Sequence, residues 1–423
     1  MTRFVAALLA VAGAMALITP LRGAVPACDP DNGGIKLPAG FCALVVADDL
    51  GPARHLSVAP NGDLYVATLG GRAGQGAGAL VALHDADGDG KFEVTERFGE
   101  GSATGIALRN GYLYVGTPTA IVRYKMTAGT LRPTGSAEVI VGGFTMQRQH
   151  EDKGLAFDGR GGLYTNVGAP SNACQSPDRR AKVPGQDPCP LLQEYGGIWK
   201  FDENKPGQKQ SDGVRYATGL RQMPALAWHD GALYVAMNNR DQLDTLWPDV
   251  FKADDNVERP SEPLYRVDQG SNFGWPYCFH DFRQNKLLLN PEYGGDGKTV
   301  GRCAGFKEPV AAFPAHWAPV ALAFYTGSQF PQKYRGGAFI AFHGSWNRAP
   351  LPQAGYNVTF QPFSGGKVSG KYEVFADGFT GTTQLMRPND AMYRPDGVAQ
   401  GPDGSLYISE SQKGRIWRVV YKG

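Results

Sequence analysis

One short pattern recurs six times in this chain of 423 residues, and nothing else in the sequence limits the fold as sharply. It is an apolar run, a turn containing Gly, then a second run built of Leu, an aromatic residue and a small or β-branched residue. The copies span residues 55–67, 105–115, 154–164, 225–235, 322–340 and 397–408, the fifth being the loosest. Their turn glycines are Gly62, Gly111, Gly162, Gly231, Gly337 and Gly404, at intervals of 49, 51, 69, 106 and 67 residues. Gly reaches the positive φ of a tight hairpin without a Cβ clash. A third strand follows most copies, at 121–124, 197–200, 264–267, 356–359 and 416–419. Such units cannot bury a sheet face alone, but they can when arrayed about an axis. The expected fold is therefore all-β: a six-bladed β-propeller with antiparallel blades around a central channel. The long fourth interval is read as an insertion at about 270–303, and the run near 41–47 is expected to close the ring against the last blade.

Gly and Pro, 57 and 30 residues, agree with a chain rich in turns, and a hydrophobic share of 42% against 19% charged residues excludes disorder. The formal charge of +2 gives no field that would hold nucleic acid or an anionic membrane. Arg3 followed by an apolar run to Ile18, with small residues up to Ala27, reads as a signal peptide over residues 1–27. That leaves residues 28–423 as one domain, periplasmic or secreted, with no membrane span. A lipid anchor at Cys28 is the rival reading. Six cysteines in an exported chain suggest disulfides. Fifteen pairings are possible for six cysteines; sequence proximity alone favours Cys28–Cys42, Cys174–Cys189 and Cys278–Cys303. No C-x-x-C or C-x-x-C-H occurs, which argues against a zinc site and a covalent c-type haem.

Equivalent positions of propeller repeats lie at equivalent heights, so residues just before each first strand should ring one mouth of the channel. This position yields His150, Arg221, Gln222, Trp317 and Arg394. The ends of second strands add Asn238, Asn239, Arg240 and Asp241 from the fourth copy, and His343, Ser345, Trp346, Asn347 and Arg348 from the fifth. A polar, aromatic and basic rim suits a flat anionic ligand. A His with no Ser or Cys partner suits proton abstraction better than a nucleophilic triad.

Six segments in order carry a family resemblance: His150-x-x-Lys-Gly-Leu-Ala-Phe, Gly219-Leu-Arg-Gln, Gly270-Ser-Asn-Phe-Gly-Trp-Pro, His316-Trp-Ala-Pro, His343-Gly-Ser-Trp-Asn-Arg and the run from Arg394 to Gly404. Over nearly the whole mature chain, the sequence resembles the soluble quinoprotein sugar dehydrogenases of the glucose/sorbosone dehydrogenase family. The resemblance implies an enzyme that oxidises a sugar with pyrroloquinoline quinone (PQQ) and Ca²⁺, the electron acceptor being unknown. It makes His150 the catalytic base and places Arg221 at the reactive quinone carbon. Gln222 stands where the glucose enzymes have Asn. Asn239 and Arg240 fall where backbone carbonyls hold calcium. Trp317 matches an aromatic residue at the cofactor, the segment around Asn347 and Arg348 replaces a carboxylate-pairing lysine, and Arg394 matches the first of two arginines. Asp396 stands at the second.

A possible second calcium loop is Asp85-Ala-Asp87-Gly-Asp89-Gly-x5-Glu96, which fits an acidic loop formula but is flanked by strand-like sequence. The alternative is a blade hairpin that uses Asp and Gly for its turns. Two other functions compete. A calcium-dependent lactonase on the same fold would need no quinone, and a non-catalytic propeller would bind sugar or protein. An NAD enzyme is disfavoured because no G-x-G-x-x-G joins a strand to a helix.

Overall fold

The computed structural model describes residues 26–70 and 79–423. Nearly all of the expected signal peptide, and most of the Gly-rich loop beginning at Gly70, lie outside the described residues. Six antiparallel sheets form the blades. Their innermost strands are Ala53–Val58, Ile106–Arg109, Leu155–Phe157, Gln222–His229, Pro319–Phe324 and Pro395–Gln400. Each pairs with the next strand in sequence and steps outward. Among the described residues the α-helices are short, Leu243–Leu246 and Ala253–Glu258.

The second strands explain the recurring Leu-aromatic-aliphatic triplet. Successive side chains of a strand point to opposite faces. In blade one, Leu64 and Val66 pack toward blade six with Tyr407 and Ile416, whereas Tyr65 and Ala67 pack toward blade two with Leu113 and Val115. The rule repeats: Leu233 and Val235 face blade three, and Tyr234 faces blade five. The Tyr hydroxyls bond onward to the next blade: Tyr65 to the Leu131 carbonyl at 2.7 Å, Tyr114 to Glu203 at 3.0 Å and Tyr234 to Gly366 at 2.7 Å. In blade five Phe339 takes the Tyr position and packs toward blade six. Both faces of every blade are thus buried, and the hydrophobic core is six interblade layers, not one centre.

Phe41–Ala47 pairs antiparallel with Ile416–Tyr421 and completes the last blade, so its first and last strands come from opposite ends of the domain. The three disulfides are Cys28–Cys42, Cys174–Cys189 and Cys278–Cys303, as proximity suggested. Two turn positions differ from expectation. The positive φ lies at Gly161 and Gly336, one residue before Gly162 and Gly337. Gly337 is instead required by packing, because a Cβ there would meet the Phe360 ring.

The insertion contributes the hairpin Cys278–Asp281 with Lys286–Leu289. It packs on the blade-three loop through Cys174, Cys189, Trp275, Tyr277 and Cys303. The Trp275 indole N–H donates to the Asn172 carbonyl at 2.9 Å. These two stapled segments form a wall beside blades three and four.

Candidate active site

A cavity of about 250 Å³ opens where the inner strands begin. Its lining includes Arg54, His150, Asp152, Arg221, Gln222, Asn239, Asp241, Glu262, His316, His343, Trp346 and Asn347, drawn from blades one, four and five and from the loop that leads from blade two into blade three. The repeat geometry delivers this convergence, because all of these residues but Glu262, which begins a third strand, stand at or just outside the end of an innermost or second strand.

His150 has φ +62°, a left-handed conformation uncommon for a residue with a side chain. Its Nδ1 lies 2.5 Å from the Ala169 carbonyl oxygen. A carbonyl only accepts, so Nδ1 carries the hydrogen and Nε2 keeps its lone pair. Burial, followed by the charge of Arg221, pushes the imidazole down to about 3. It is neutral throughout the physiological range, as a proton acceptor must be.

Arg221 is buried, donating from Nη1 to the Asn239 carbonyl at 2.9 Å and from Nη2 to Asp241 at 2.6 Å. Asp241 also accepts from Arg179 at 2.8 Å and from the Asn347 amide. Arg179 comes from the Cys174–Cys189 loop, so that disulfide-closed segment reaches the site. Arg221 and Arg179 hold the Asp241 carboxyl well below its ordinary range. Glu262, beside it, has no such cation in contact among the described residues; there its carboxylate accepts from the backbone N–H of Asn239 at 2.9 Å and of Ala318 at 3.3 Å. Burial pushes it up to about 8.

A second buried charge cluster closes the channel side. Arg54 reaches both Asp152 and Asp396 at 3.0 Å. One cation cannot neutralise two carboxylates, and the two acids part accordingly. Arg54, with a Thr104 hydrogen bond, keeps Asp152 low against its burial, while burial pushes Asp396 up to about 7. Asp396 is not the second arginine of the resembling family. Asp396 instead accepts from Arg54, which comes from the adjoining first blade. Gln222 donates its amide to Asp152 at 3.0 Å.

Of the residues expected at the mouth, His150, Arg221, Gln222, Asn239 and Asn347 line the cavity; Trp317, Arg348 and Arg394 do not. Trp317 packs edge-on against Phe342 and Tyr372 in the layer between blades four and five. Its two neighbours, His316 and Ala318, have φ +62° and +57°, and the chain there turns His316 toward the cavity instead. Arg348 spends its guanidinium on the carbonyls of Val257 and Pro352, at 2.8 and 3.1 Å. Arg394 donates to the carbonyls of Gly344 and His343, at 2.8 and 3.2 Å, and so braces the loop that carries Trp346. The Arg240 side chain turns outward to Glu292, 2.5 Å away, tying the insertion to blade four.

The acidic loop also departs from expectation. Asp85, Asp87 and Asp89 gather with Glu93, not Glu96. Glu96 lies on the following strand and pairs with Arg132 at 3.0 Å. The three aspartates accept backbone N–H groups of their own turn, as an Asp/Gly hairpin would.

Four titratable lining residues are not among those the repeat rule selects: Arg54, Asp152, Glu262 and His316. Arg54 precedes the first copy at the same repeat position as the others and was within reach of that rule. Glu262 begins a third strand, a position the rule did not consider.

A protein-family model described as TrAA12-like matches residues 35–422. An uncharacterised protein of Borreliella burgdorferi is 29% identical over 209 residues, 49% of this chain and 48% of that protein. A pyrroloquinoline quinone-dependent pyranose dehydrogenase of Coprinopsis cinerea is 25% identical over 198 residues, 40% of this chain and 26% of that enzyme. The chain thus matches about half and about a quarter of these relatives' lengths. Among solved structures, a Trichoderma reesei protein of Carbohydrate-Active Enzymes Family AA12 superposes with TM-score 0.73 at 18% identity, covering 92% of this chain and 97% of that one. The holo PQQ domain of the Coprinopsis cinerea pyranose dehydrogenase gives 0.69 at 17%, covering 91% and 97%. At these identities the superpositions speak for the fold.

Proposed function

Because the chain belongs to the TrAA12-like family, we propose that it is an exported quinoprotein dehydrogenase that oxidises a sugar, using PQQ with Ca²⁺. The observation that carries the reading is a neutral His150 with its Nδ1 hydrogen committed to Ala169, set beside Arg221 in a polar cavity at the end of the channel.

The lining fits the cofactor. Arg54 Nε, Arg221 Nε, Gln222 Oε1 and Asn347 Oδ1 are buried without a hydrogen-bond partner, all on cavity residues. Buried polar atoms without partners are costly, and a ligand supplies what they lack. Arg54 and Arg221 would face its anionic groups. The carbonyls of Asn239 and Arg240 would hold the calcium. The first already accepts from Arg221 and keeps a second lone pair, while among the described residues nothing donates to the other.

The chain's part in the reaction follows from its own groups. His150 Nε2 would take the hydroxyl proton of the sugar carbon as hydride leaves the same carbon, and loss of both at the anomeric carbon yields a lactone. Bound PQQ supplies the acceptor for the hydride that leaves that carbon. Arg221 places fixed positive charge where negative charge develops, with its geometry locked by Asp241 and Asn239, so little reorganisation is needed. The neutral imidazole draws no charge from the sugar in the ground state. Three disulfides and the absence, among the described residues, of any helix long and apolar enough to cross a membrane support a periplasmic or secreted location.

The test is an absorbance titration of the calcium-loaded protein with PQQ, then dye reduction with a panel of sugars. Saturable PQQ binding followed by sugar-dependent reduction is expected. Lactone hydrolysis without PQQ, and no dye reduction with it, would overturn the reading in favour of the lactonase.

A further inference from the structure

We propose that Arg179, which does not itself line the cavity, is a positioning residue for the oxidation: by sharing the Asp241 carboxylate it keeps Arg221 from being neutralised by its own counter-ion. The inference rests on the dehydrogenase reading and adds to it a residue of the blade-three loop.

Two guanidiniums meet one carboxylate. Arg221 Nη2 and Arg179 Nη2 both donate to Asp241 Oδ2, at 2.6 and 2.8 Å, while the Asn347 amide takes Oδ1. Glu262, the other carboxyl on this side of the cavity, contacts neither guanidinium among the described residues. An isolated Arg221–Asp241 pair would carry no net charge, and a developing oxyanion would meet only its dipole. Arg179 adds one positive charge to the pair, and the carboxylate between the two cations limits their repulsion.

The loop is built to hold Arg179 in place. Its backbone has φ +54°, uncommon for a residue with a side chain, inside the segment closed by Cys174–Cys189. Its Nη1 donates to Gln242 Oε1 at 2.7 Å. The same segment clamps the backbone of Asp241 as well: the Asp241 N–H donates to Asn172 Oδ1 at 2.9 Å, and Asn172 Nδ2 donates to the Asp241 carbonyl at 3.0 Å. Asp178, next to Arg179, accepts from the Gln149 amide at 3.2 Å, and Gln149 adjoins His150. One loop thus sets the counter-ion of Arg221 and the chain beside the base.

A loop clasp and a charge donor make different demands on residue 179. A clasp needs a donor for Asp241, which a neutral amide supplies. A charge donor needs a cation, which an ammonium supplies without the guanidinium fork. The side chain is 25% exposed, so either replacement is accommodated without opening a void in the core.

The experiment compares wild type, Arg179→Gln, Arg179→Lys and the double variant Arg179→Gln/Asp241→Asn as PQQ- and calcium-loaded enzymes. We expect Arg179→Gln to lower kcat about tenfold, less than the loss of a donor in direct contact, with KM for the sugar within threefold. PQQ affinity, measured by absorbance titration, should also fall about tenfold, because the cofactor is anionic. Arg179→Lys should recover both quantities to within threefold. The double variant removes the negative charge that Arg179 offsets, and should recover PQQ affinity to within threefold. Wild-type kcat and affinity in Arg179→Gln overturn the proposal. So does an Arg179→Lys enzyme as impaired as Arg179→Gln, or a double variant that binds PQQ no better than Arg179→Gln; either makes the residue a clasp. If wild type oxidises no sugar, the dehydrogenase reading fails. The charge role is then judged alone by calorimetric binding of trimesate, a flat tricarboxylate: weaker binding in Arg179→Gln that Arg179→Lys restores sustains it, and any other pattern overturns it.

Discussion

Arg221 and Asp241 meet in a buried ion pair at 2.6 Å, and the groups that complete it come from other blades: Arg179 from the blade-three loop and Asn347 from the blade-five loop. The pair is the joint at which three parts of the ring are locked together, and its cation bears on His150.

Replacing Arg221 by Gln removes the charge that helps hold His150 low. The imidazole should then titrate nearer its ordinary value, so the acid limb of the kcat/KM profile should move to higher pH. Asp241 keeps Arg179, which limits the stability loss to about 3 kcal/mol, the low end for a broken buried pair. A pH–rate profile with the cofactor saturating checks the first, and urea unfolding the second.

His150→Ala should lower kcat on the order of 10² to 10⁴-fold, the range for loss of a general base. PQQ affinity should be nearly kept, because the imidazole contributes a lone pair and no charge. Single-turnover kinetics beside an absorbance titration separate the two quantities, and a loss under tenfold would refute the base assignment.

The cluster of Arg54, Asp152 and Asp396 should respond unequally to substitution. Asp396 is pushed up to about 7 by burial, so much of its population is already protonated at neutral pH. Asp396→Asn is nearly isosteric with that form and should cost about 1 kcal/mol or less. Arg54→Met leaves two buried carboxyls without a cation and should cost about 3–5 kcal/mol. Denaturant midpoints of the two variants test the order.

Acid should destabilise the fold well before its carboxylates titrate in bulk. Burial lowers His55, His280 and His316 to about 4 and His150 to about 3, and lowers His343 as well. Unfolded imidazoles bind protons near pH 6.5, which the folded ones refuse until pH 4 or below. The unfolded state therefore holds more protons in that window, and stability must fall as pH drops from 6.5 to 4. Asp396 opposes this between pH 7 and 3.8 and Glu262 between pH 8 and 4.5, but these two carboxyls face five imidazoles. Calorimetry at stepped pH should show Tm falling through the window, with proton uptake on unfolding.

How far the site was legible depends on where each side chain points. The repeat rule located His150, Arg221, Gln222, Asn239 and Asn347, because strand position fixes the height of a residue along the axis. It misjudged Trp317 and Arg348, because height does not fix direction around the strand. Trp317 turned into the apolar layer beside Phe342, where an indole gains more from burial. Arg348 found backbone carbonyls that no sequence pattern marks. The acidic loop followed the same logic: the formula selected Glu96, but strand alternation gave Glu93 to the turn and Glu96 to Arg132.

The six blades and the closing strand were legible along the chain, and proximity favoured the three disulfide pairs that the structure forms. The blades and disulfides follow from local alternation, turn glycines and short loop closure, which act between near neighbours in the chain; the closing strand shows the same local alternation although its partner lies at the other end of the domain. Only the tertiary structure decided how charge is shared at the cavity, with Arg54 on Asp396 and Arg179 on Asp241. Those partners lie 342 and 62 residues apart. Their pairing is set by which buried carboxylates most need a cation once the ring has closed, and that is a property of the enclosed space.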